Sequence, residues 1–206
     1  MSTIVFATTN KDKVREISEI TAGSDVNILT MSDIGYVEDI EEDGTTFTEN
    51  ATIKAKAVAD YINTSKTDLK GAIVLADDSG LEIDYYDKKP GIMSHRWLGD
   101  RTYTQAMQDV LKDMEGVPDD KRTARFVCSM AAVLSDGQVI TVLDTIEGIV
   151  GHEIIGDNGF GYDPFFYVPE LGCTTAQLST EDKNKISHRG KALRNIIGKL
   201  KDAGLI

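Results

Sequence analysis

No apolar run in the sequence approaches the roughly 18 residues that a membrane-spanning helix requires, and no basic stretch precedes the apolar segment opening at Ile4. Both absences predict a cytoplasmic protein with no membrane partner. Cysteine is scarce: Cys128 and Cys173 stand far apart, with no Cys-x-x-Cys pairing, which argues for reduced, structural thiols and against a disulfide framework or a zinc site. Positive charge is also short, with 22 Lys and Arg against 34 Asp and Glu and a net charge of -12. That deficit argues against tight binding to nucleic acid, because each backbone phosphate contact needs a neutralising cation. No repeat, low-complexity tract or Pro-rich linker divides the 206 residues, so residues 1–206 are expected to form a single domain. At 41% apolar and 27% charged, the chain has ample material for a packed core.

Several catalytic signatures are missing as well. There is no Gly-x-Ser-x-Gly elbow, no Gly-x-Gly-x-x-Gly after the first strand and no Walker loop, so a serine hydrolase, a dinucleotide fold and a P-loop enzyme are unsupported. His152-Glu153 opens like a zinc-protease helix, but Gly156 stands where the second histidine is required. Asp-Ser-Gly occurs once, at Asp78-Ser79-Gly80, whereas an aspartic protease needs two such carboxylates sharing a proton.

What is present reads as α/β. The segment TIVFA is a buried strand, residues 8–13 a polar loop, and Val14, Ile17 and Ile20 recur at helical spacing. A second helix carries Ala51, Ala55, Val58 and Ile62, and residues 71–76 form another buried strand. Thr102 and Gln105 predict a capping box ahead of Met107, Val110, Leu111 and Met114, with Pro118 ending the helix. Residues 124–134 and 138–146 flank Ser135-Asp136-Gly137, a hairpin signal, so part of the sheet is expected to be antiparallel. The last helix buries Ala192, Leu193, Ile196, Ile197 and Leu200, and its other side is basic.

Charge is unevenly placed. Residues 181–206 carry a net +4, while residues 33–49 hold seven acidic residues and no basic one, either a solvated loop beside a basic helix or a metal-binding edge facing an anion-binding edge. The loop Thr8 to Lys13 delivers hydroxyls, an amide and two lysines to a helix N-terminus, which suits phosphate as well as an ordinary capped turn. Asp77 and Asp78 end an apolar strand. On a regular strand only one of them faces a given side, so one reads as catalytic and the other as structural, the alternative being an Asp-Ser-Gly turn. Gly159 to Phe166 offers close backbone approach and aromatic faces, although Phe165 and Phe166 read better as core. His188 and Arg189, at a helix entry, could donate to a carbonyl oxygen or a phosphate.

Taken together, Thr8-x-Asn10-x-x-Lys13, Phe47-x-Glu49-Asn50-Ala51, Asp77-Asp78-Ser79-Gly80-Leu81, Pro90-Gly91-Ile92, Phe160-Gly161-Tyr162-Asp163-Pro164 and Ser187-His188-Arg189-Gly190 resemble one family in order and spacing. It is the Ham1-like, RdgB-type inosine/xanthosine triphosphate pyrophosphatase family, and the likeness runs from residue 4 to about 200. The resemblance implies an ITPase-like (Maf/Ham1) α/β fold, with two lobes around a long twisted mixed sheet and an active-site cleft between them. It also implies a homodimer that hydrolyses ITP, dITP and XTP, with magnesium, to the monophosphate and pyrophosphate. By position, Thr8, Thr9, Asn10, Lys11, Asp12 and Lys13 would hold the phosphates, and Glu41 and Asp78 the Mg2+, with Asp78 also the general base. Ser79, Phe160, Gly161, Tyr162, Asp163, Lys183, His188 and Arg189 would bind the nucleotide. Glu41 is preferred to its neighbour Glu42, and Asp77, His95, Arg96 and Trp97 receive no role. Two rival readings are a Maf-like pyrophosphatase of other nucleotides and a nucleotide-binding regulator without catalysis.

Overall fold

The run Ser2–Phe6 forms strand β1 in a computed structural model that describes residues 2–22, 26–65 and 67–206. Helix α1, Lys11–Thr21, follows at once, and strand β2, Val26–Thr30, lies parallel to β1 with Phe6 opposite Thr30. Helix α2, Phe47–Ser65, precedes β3, Ile73–Ile83, which runs parallel to β1 on its other side. Parallel neighbours need crossover connections, and α1 and α2 provide them. Later pairings are antiparallel: β4, Lys89–Pro90, on β3; β7, Phe166–Val168, on β6, Val139–Val150; and β8, Cys173–Thr174, on β7. With β5 at Thr123–Val133, the order is β2-β1-β3-β5-β6-β7-β8, and β4 attaches to β3. The remaining helices are α3, Tyr103–Asp113; α4, Thr180–Ile186; and α5, His188–Asp202. The mixed open sheet bears out the expected α/β class.

The chain divides into two compact units, Met1–Asp78 with Cys128–Asp144 and Arg189–Ile206, and Ser79–Val127 with Thr145–His188. In the first, β1 and β3 are covered on both faces, which is why their sequences read as continuous apolar runs. Ile4, Phe6, Ile73 and Leu75 pack with Ile17 of α1 and Ala192, Leu193, Ile196 and Leu200 of α5. Val5, Val74 and Ala76 pack with Ala51, Ala55, Val58 and Ile62 of α2. Odd and even positions of β3 therefore belong to different helices. The second unit packs Leu81, Ile83, Met107, Val110, Phe165 and Phe166 into its own core, so the two phenylalanines are core residues as expected.

Three local readings are resolved. The capping box at Thr102 and Gln105 forms, but α3 stops at Asp113, five residues before Pro118, and Gly116 turns the chain with φ of 76°. The Ser135–Gly137 turn closes a hairpin in which Leu134 N–H donates to Gln138 O at 2.9 Å. Cys128 and Cys173 are free thiols. Among the described residues no helix is long and apolar enough to cross a membrane.

Candidate active site

Strand β3 does not turn at Asp77-Asp78-Ser79-Gly80 but continues through it to Ile83, so the two carboxylates inherit the alternation of Leu75 and Ala76. Asp77 shares the α1 and α5 side. Lys13 Nζ donates to its Oδ1 at 3.0 Å and lies 2.9 Å from Oδ2, and Arg189 Nε donates to Oδ2 at 3.3 Å. Ala7 N–H donates to Leu75 O at 2.7 Å, extending the β1–β3 pairing to the edge of the Thr8 loop and bringing Lys13 to Asp77. Burial works to raise the Asp77 carboxyl, but Lys13, Arg189 and Lys54 outweigh it and hold the group well below the usual carboxylate range. Behind Asp77, Arg189 Nη1 donates to the buried Glu16 Oε2 on α1.

Asp78 shares the α2 side. Asn50 Nδ2 donates to its Oδ2 at 3.2 Å, and Lys54 Nζ lies 3.5 Å from Oδ1. Here burial wins: it raises the Asp78 carboxyl from its ordinary value, Glu42 adds to the shift, and Lys54, Lys13 and the Asn50 hydrogen bond only moderate it. Adjacent carboxylates thus stand in opposite electrostatic states.

The acidic loop reaches Asp78 through its local chemistry. Thr46 Oγ1 accepts from Glu49 N–H at 3.1 Å and Glu49 Oε2 accepts from Thr46 N–H at 3.1 Å, a reciprocal cap that starts α2. Glu49 is therefore a capping acid. Gly44 N–H donates to Asn50 Oδ1 at 2.9 Å, and a Cβ at Gly44 would lie 2.6 Å from that same oxygen. Only glycine lets the loop lie against the Asn50 amide, whose other end orients Asp78. Glu42 Oε2 then meets Lys54 Nζ at 2.9 Å, while Glu41 is exposed. The residue brought beside Asp78 through Lys54 is Glu42.

The loop Thr8 to Lys13 is also a capped turn. Asn10 Oδ1 accepts from Asp12 and Lys13 N–H at 2.9 and 3.2 Å, and Thr8 Oγ1 accepts from Asn10 N–H at 3.2 Å. Asp12 pairs with Arg15 at 3.0 Å, and Thr9, Asn10 and Lys11 are exposed.

In the second unit Asp163 is a hub. Its Oδ2 accepts from Lys183 Nζ at 2.6 Å and Phe160 N–H at 2.8 Å, and its Oδ1 from Thr175 Oγ1 at 2.8 Å. A Cβ on Gly159, where φ is +72°, would fall 2.2 Å from Asp163 Oδ2, so the glycine is required. Lys183 Nζ stands 5.2 Å from the Phe160 ring centroid, and Gly161 is half-buried. Tyr162 is buried, its hydroxyl donates to Ser94 O at 3.0 Å, and burial with nearby Tyr103 raises the phenol so that it stays protonated. The His188 ring stacks on Phe126 with centroids 4.9 Å apart, and Ser79 is half-buried. Of the residues without an assigned role, His95 and Arg96 are exposed and Trp97 packs on the second core.

Sequence reasoning missed Lys54 and Glu16 and named Asn50 within a motif without giving it a role. Asn50 and Lys54 are four residues apart beside the Ala51, Ala55, Val58 stripe, and a polar pair at helical spacing next to a buried stripe was the available signal. Glu16 gave none, since a helix glutamate beside Ile17 reads as solvated.

Among the described residues no group of three or more His, Cys, Asp or Glu converges as a ready-made metal cage. Asp78 and Glu42 nonetheless share one ammonium, and two hard carboxylates fit Mg2+, which keeps several waters and takes further oxygens from phosphates.

A sequence model described as the Ham1 family matches residues 4–199. A dITP/XTP pyrophosphatase of Listeria monocytogenes is 41% identical over 197 residues, 95% of this chain and 93% of that one. The Bacillus cereus protein of the same name is 42% identical over 203 residues, 97% and 95% of the two chains. Among solved structures, a HAM1 protein from Coxiella burnetii superposes with a TM-score of 0.83 at 37% identity, covering 98% of this chain and 100% of that one. With that model matching residues 4–199 and relatives above 40% identical along nearly the whole chain, this protein belongs to the Ham1 family.

Proposed function

We propose that this chain hydrolyses noncanonical purine nucleoside triphosphates, ITP, dITP and XTP, to the monophosphate and pyrophosphate, removing them from the nucleotide pool. The observation that carries the reading is the split between Asp77 and Asp78: one carboxylate kept ionised among cations, the other raised by burial beside Lys54 and Glu42. Of the two, Asp77 is held in its charged form by Lys13 and Arg189, which leaves Asp78 as the candidate proton acceptor. Asp78, raised by burial and not locked by cations as Asp77 is by Lys13 and Arg189, is assigned as the general base.

In the reaction a water attacks the α-phosphorus. Its proton passes to the Asp78 carboxylate, and the electron pair of the breaking bond to the β-phosphate oxygen leaves with pyrophosphate. Mg2+, held by Asp78 with the acidic loop, would supply charge neutralisation at the phosphates. Glu42 is the ligand the geometry favours over Glu41, because Glu42 alone of the two joins Asp78 around Lys54. Lys13 and its loop, Thr8 to Asp12, take the phosphates, with Asn10 also holding the helix start. Ser79, the Phe160 to Asp163 loop and Lys183 bind the nucleotide, Asp163 by orienting Lys183 and the Phe160 amide. His188 reads the C6 carbonyl that hypoxanthine and xanthine carry and adenine lacks; a mismatched buried donor costs about 1–3 kcal/mol. Residues 1–206 work as one domain and the protein as a homodimer, which light scattering coupled to size exclusion would measure.

The test is ion-exchange product analysis with Mg2+ and ITP, XTP, ATP, GTP, CTP or TTP in separate reactions. Monophosphate and pyrophosphate from ITP and XTP, with the other nucleotides little changed, is the expected result. Release of diphosphate and free phosphate would place attack at the γ-phosphorus and overturn the mechanism.

A further inference from the structure

Glu16 takes no part in the reaction as assigned above, yet its carboxylate is buried, with its residue 3% exposed, inside the first unit. It begins a line of alternating charge. Arg189 Nη1 donates to Glu16 Oε2, Arg189 Nε donates to Asp77 Oδ2 at 3.3 Å, and Asp77 Oδ2 lies 2.9 Å from Lys13 Nζ. Side-chain exposure is 4% at Glu16, 3% at Arg189 and 0% at Asp77, and rises to 15% only at Lys13. Two anions and two cations make the line neutral, and it meets solvent at one end. Helix α1 carries both ends, Lys13 and Glu16, while β3 and α5 supply the middle. The planar guanidinium donates to Glu16 and Asp77 from two fixed directions, so the position of one carboxylate bears on the other.

We propose that Glu16 is a positioning residue for phosphate binding. By holding Arg189, it sets how Asp77 is shared between Arg189 and Lys13, and therefore where the Lys13 ammonium is presented. Without the Glu16 charge, Asp77 faces an under-compensated buried guanidinium and is drawn towards it, away from Lys13. The inference rests on the function proposed above and deepens it, assigning the solvent end of the line to the phosphates rather than the base.

Glu16→Gln keeps the size and one acceptor but removes the charge. With ITP and Mg2+, KM should rise about tenfold while kcat stays within about threefold, the signature of lost ground-state binding. Inhibition by inorganic tripolyphosphate, which has no base, should weaken by the same factor, and the preference for ITP over GTP should not change. In a Lys13→Met background, Glu16→Gln should add no further rise in KM. A purely structural role would lower Tm and leave KM and tripolyphosphate inhibition alone, and that result overturns the proposal. So does a changed ITP-to-GTP preference, which would put the effect of Arg189 at the base. If Glu16→Gln does not fold, Glu16→Asp retains the charge one methylene back, and KM and tripolyphosphate inhibition should then weaken together by about threefold; no change in either refutes the positioning role. Wild-type protein that releases no pyrophosphate from ITP would overturn the function itself, and calorimetric binding of tripolyphosphate to wild type and variant would still judge the line.

Discussion

The two faces of β3 in the first unit start from the same material and end in different states. Each buries alternate apolar residues against helices, Leu75 towards α1 and α5 and Ala76 towards α2, and each then presents one aspartate. On the α1 and α5 face, Asp77 meets Lys13 and Arg189, so the cost of burial is more than offset and the carboxylate is locked in its charged form. On the α2 face, Asp78 meets a neutral amide from Asn50 and a Lys54 already paired with Glu42, and burial prevails. The lesson is that burial alone assigns no role. The number of cations left for each carboxylate decides which is held in its charged form and which is raised.

The comparison breaks most visibly in activity. Asp78→Asn removes the proposed proton acceptor and should lower kcat for ITP about 10³-fold, within the usual range for a general base; steady-state pyrophosphate release measures it. A variant that kept most of its activity would return the base to another group. Asp77→Asn instead leaves Lys13 and Arg189 short of an anion, and breaking a buried pair from one side costs about 3–5 kcal/mol. Differential scanning calorimetry should record a Tm lower by about 10 °C.

The pH dependence should separate the two faces by sign. A carboxyl raised in the folded state binds its proton more tightly there than in the unfolded chain, so Asp78 costs stability as pH rises from the ordinary aspartate value through its raised one. A lowered carboxyl does the reverse. Asp77 stabilises the fold above the ordinary value, and that contribution is lost as pH falls towards its lowered one. In EDTA, the Tm of wild type minus that of Asp78→Asn should therefore fall with rising pH over the mildly acidic range. The difference between wild type and Asp77→Asn should grow over the more acidic window below it. Equal slopes would mean the two environments are not distinct.

The β1-α1 unit, the hairpin at Asp136-Gly137, the capping box of α3 and the last helix were legible because each has a short-range cause: a period, a cap or a turn residue. Strand alternation likewise sets Asp77 and Asp78 on opposite faces. What stayed hidden depends on contacts distant in sequence. Pro118 looked like the end of α3, yet the helix stops at Asp113, ahead of the Gly116 turn with φ of 76°, and Val117 beyond it still packs on the second core. The Asp-Ser-Gly stretch looked like a turn because turn propensity is local, whereas β3 runs on through it, paired with β1 at Ile73 to Leu75 and with β4 at Glu82 and Ile83. Asp163 read as a nucleotide contact, and its grip on Lys183 and Phe160 could not be seen without the fold. Arg189 read as a donor to a carbonyl oxygen or a phosphate, and its pairing with Glu16 and Asp77 joins residues 173 and 112 positions apart.

The smallest expected effect bears on the acidic loop. Glu41 and Glu42 are adjacent and chemically alike, so sequence alone could slip by one. In the structure only Glu42 contacts Lys54, whose Nζ also stands 3.5 Å from Asp78; Glu41 points to solvent. A cation entering beside Asp78 would take the place of that shared ammonium at Glu42, and an exposed charge one residue away would contribute only a screened field. Glu42→Gln should raise the Mg2+ concentration for half-maximal activity about tenfold, whereas Glu41→Gln should move it less than about twofold. The opposite ranking would mean that the loop shifts by one residue when it takes up the cation, and would return the ligand to Glu41.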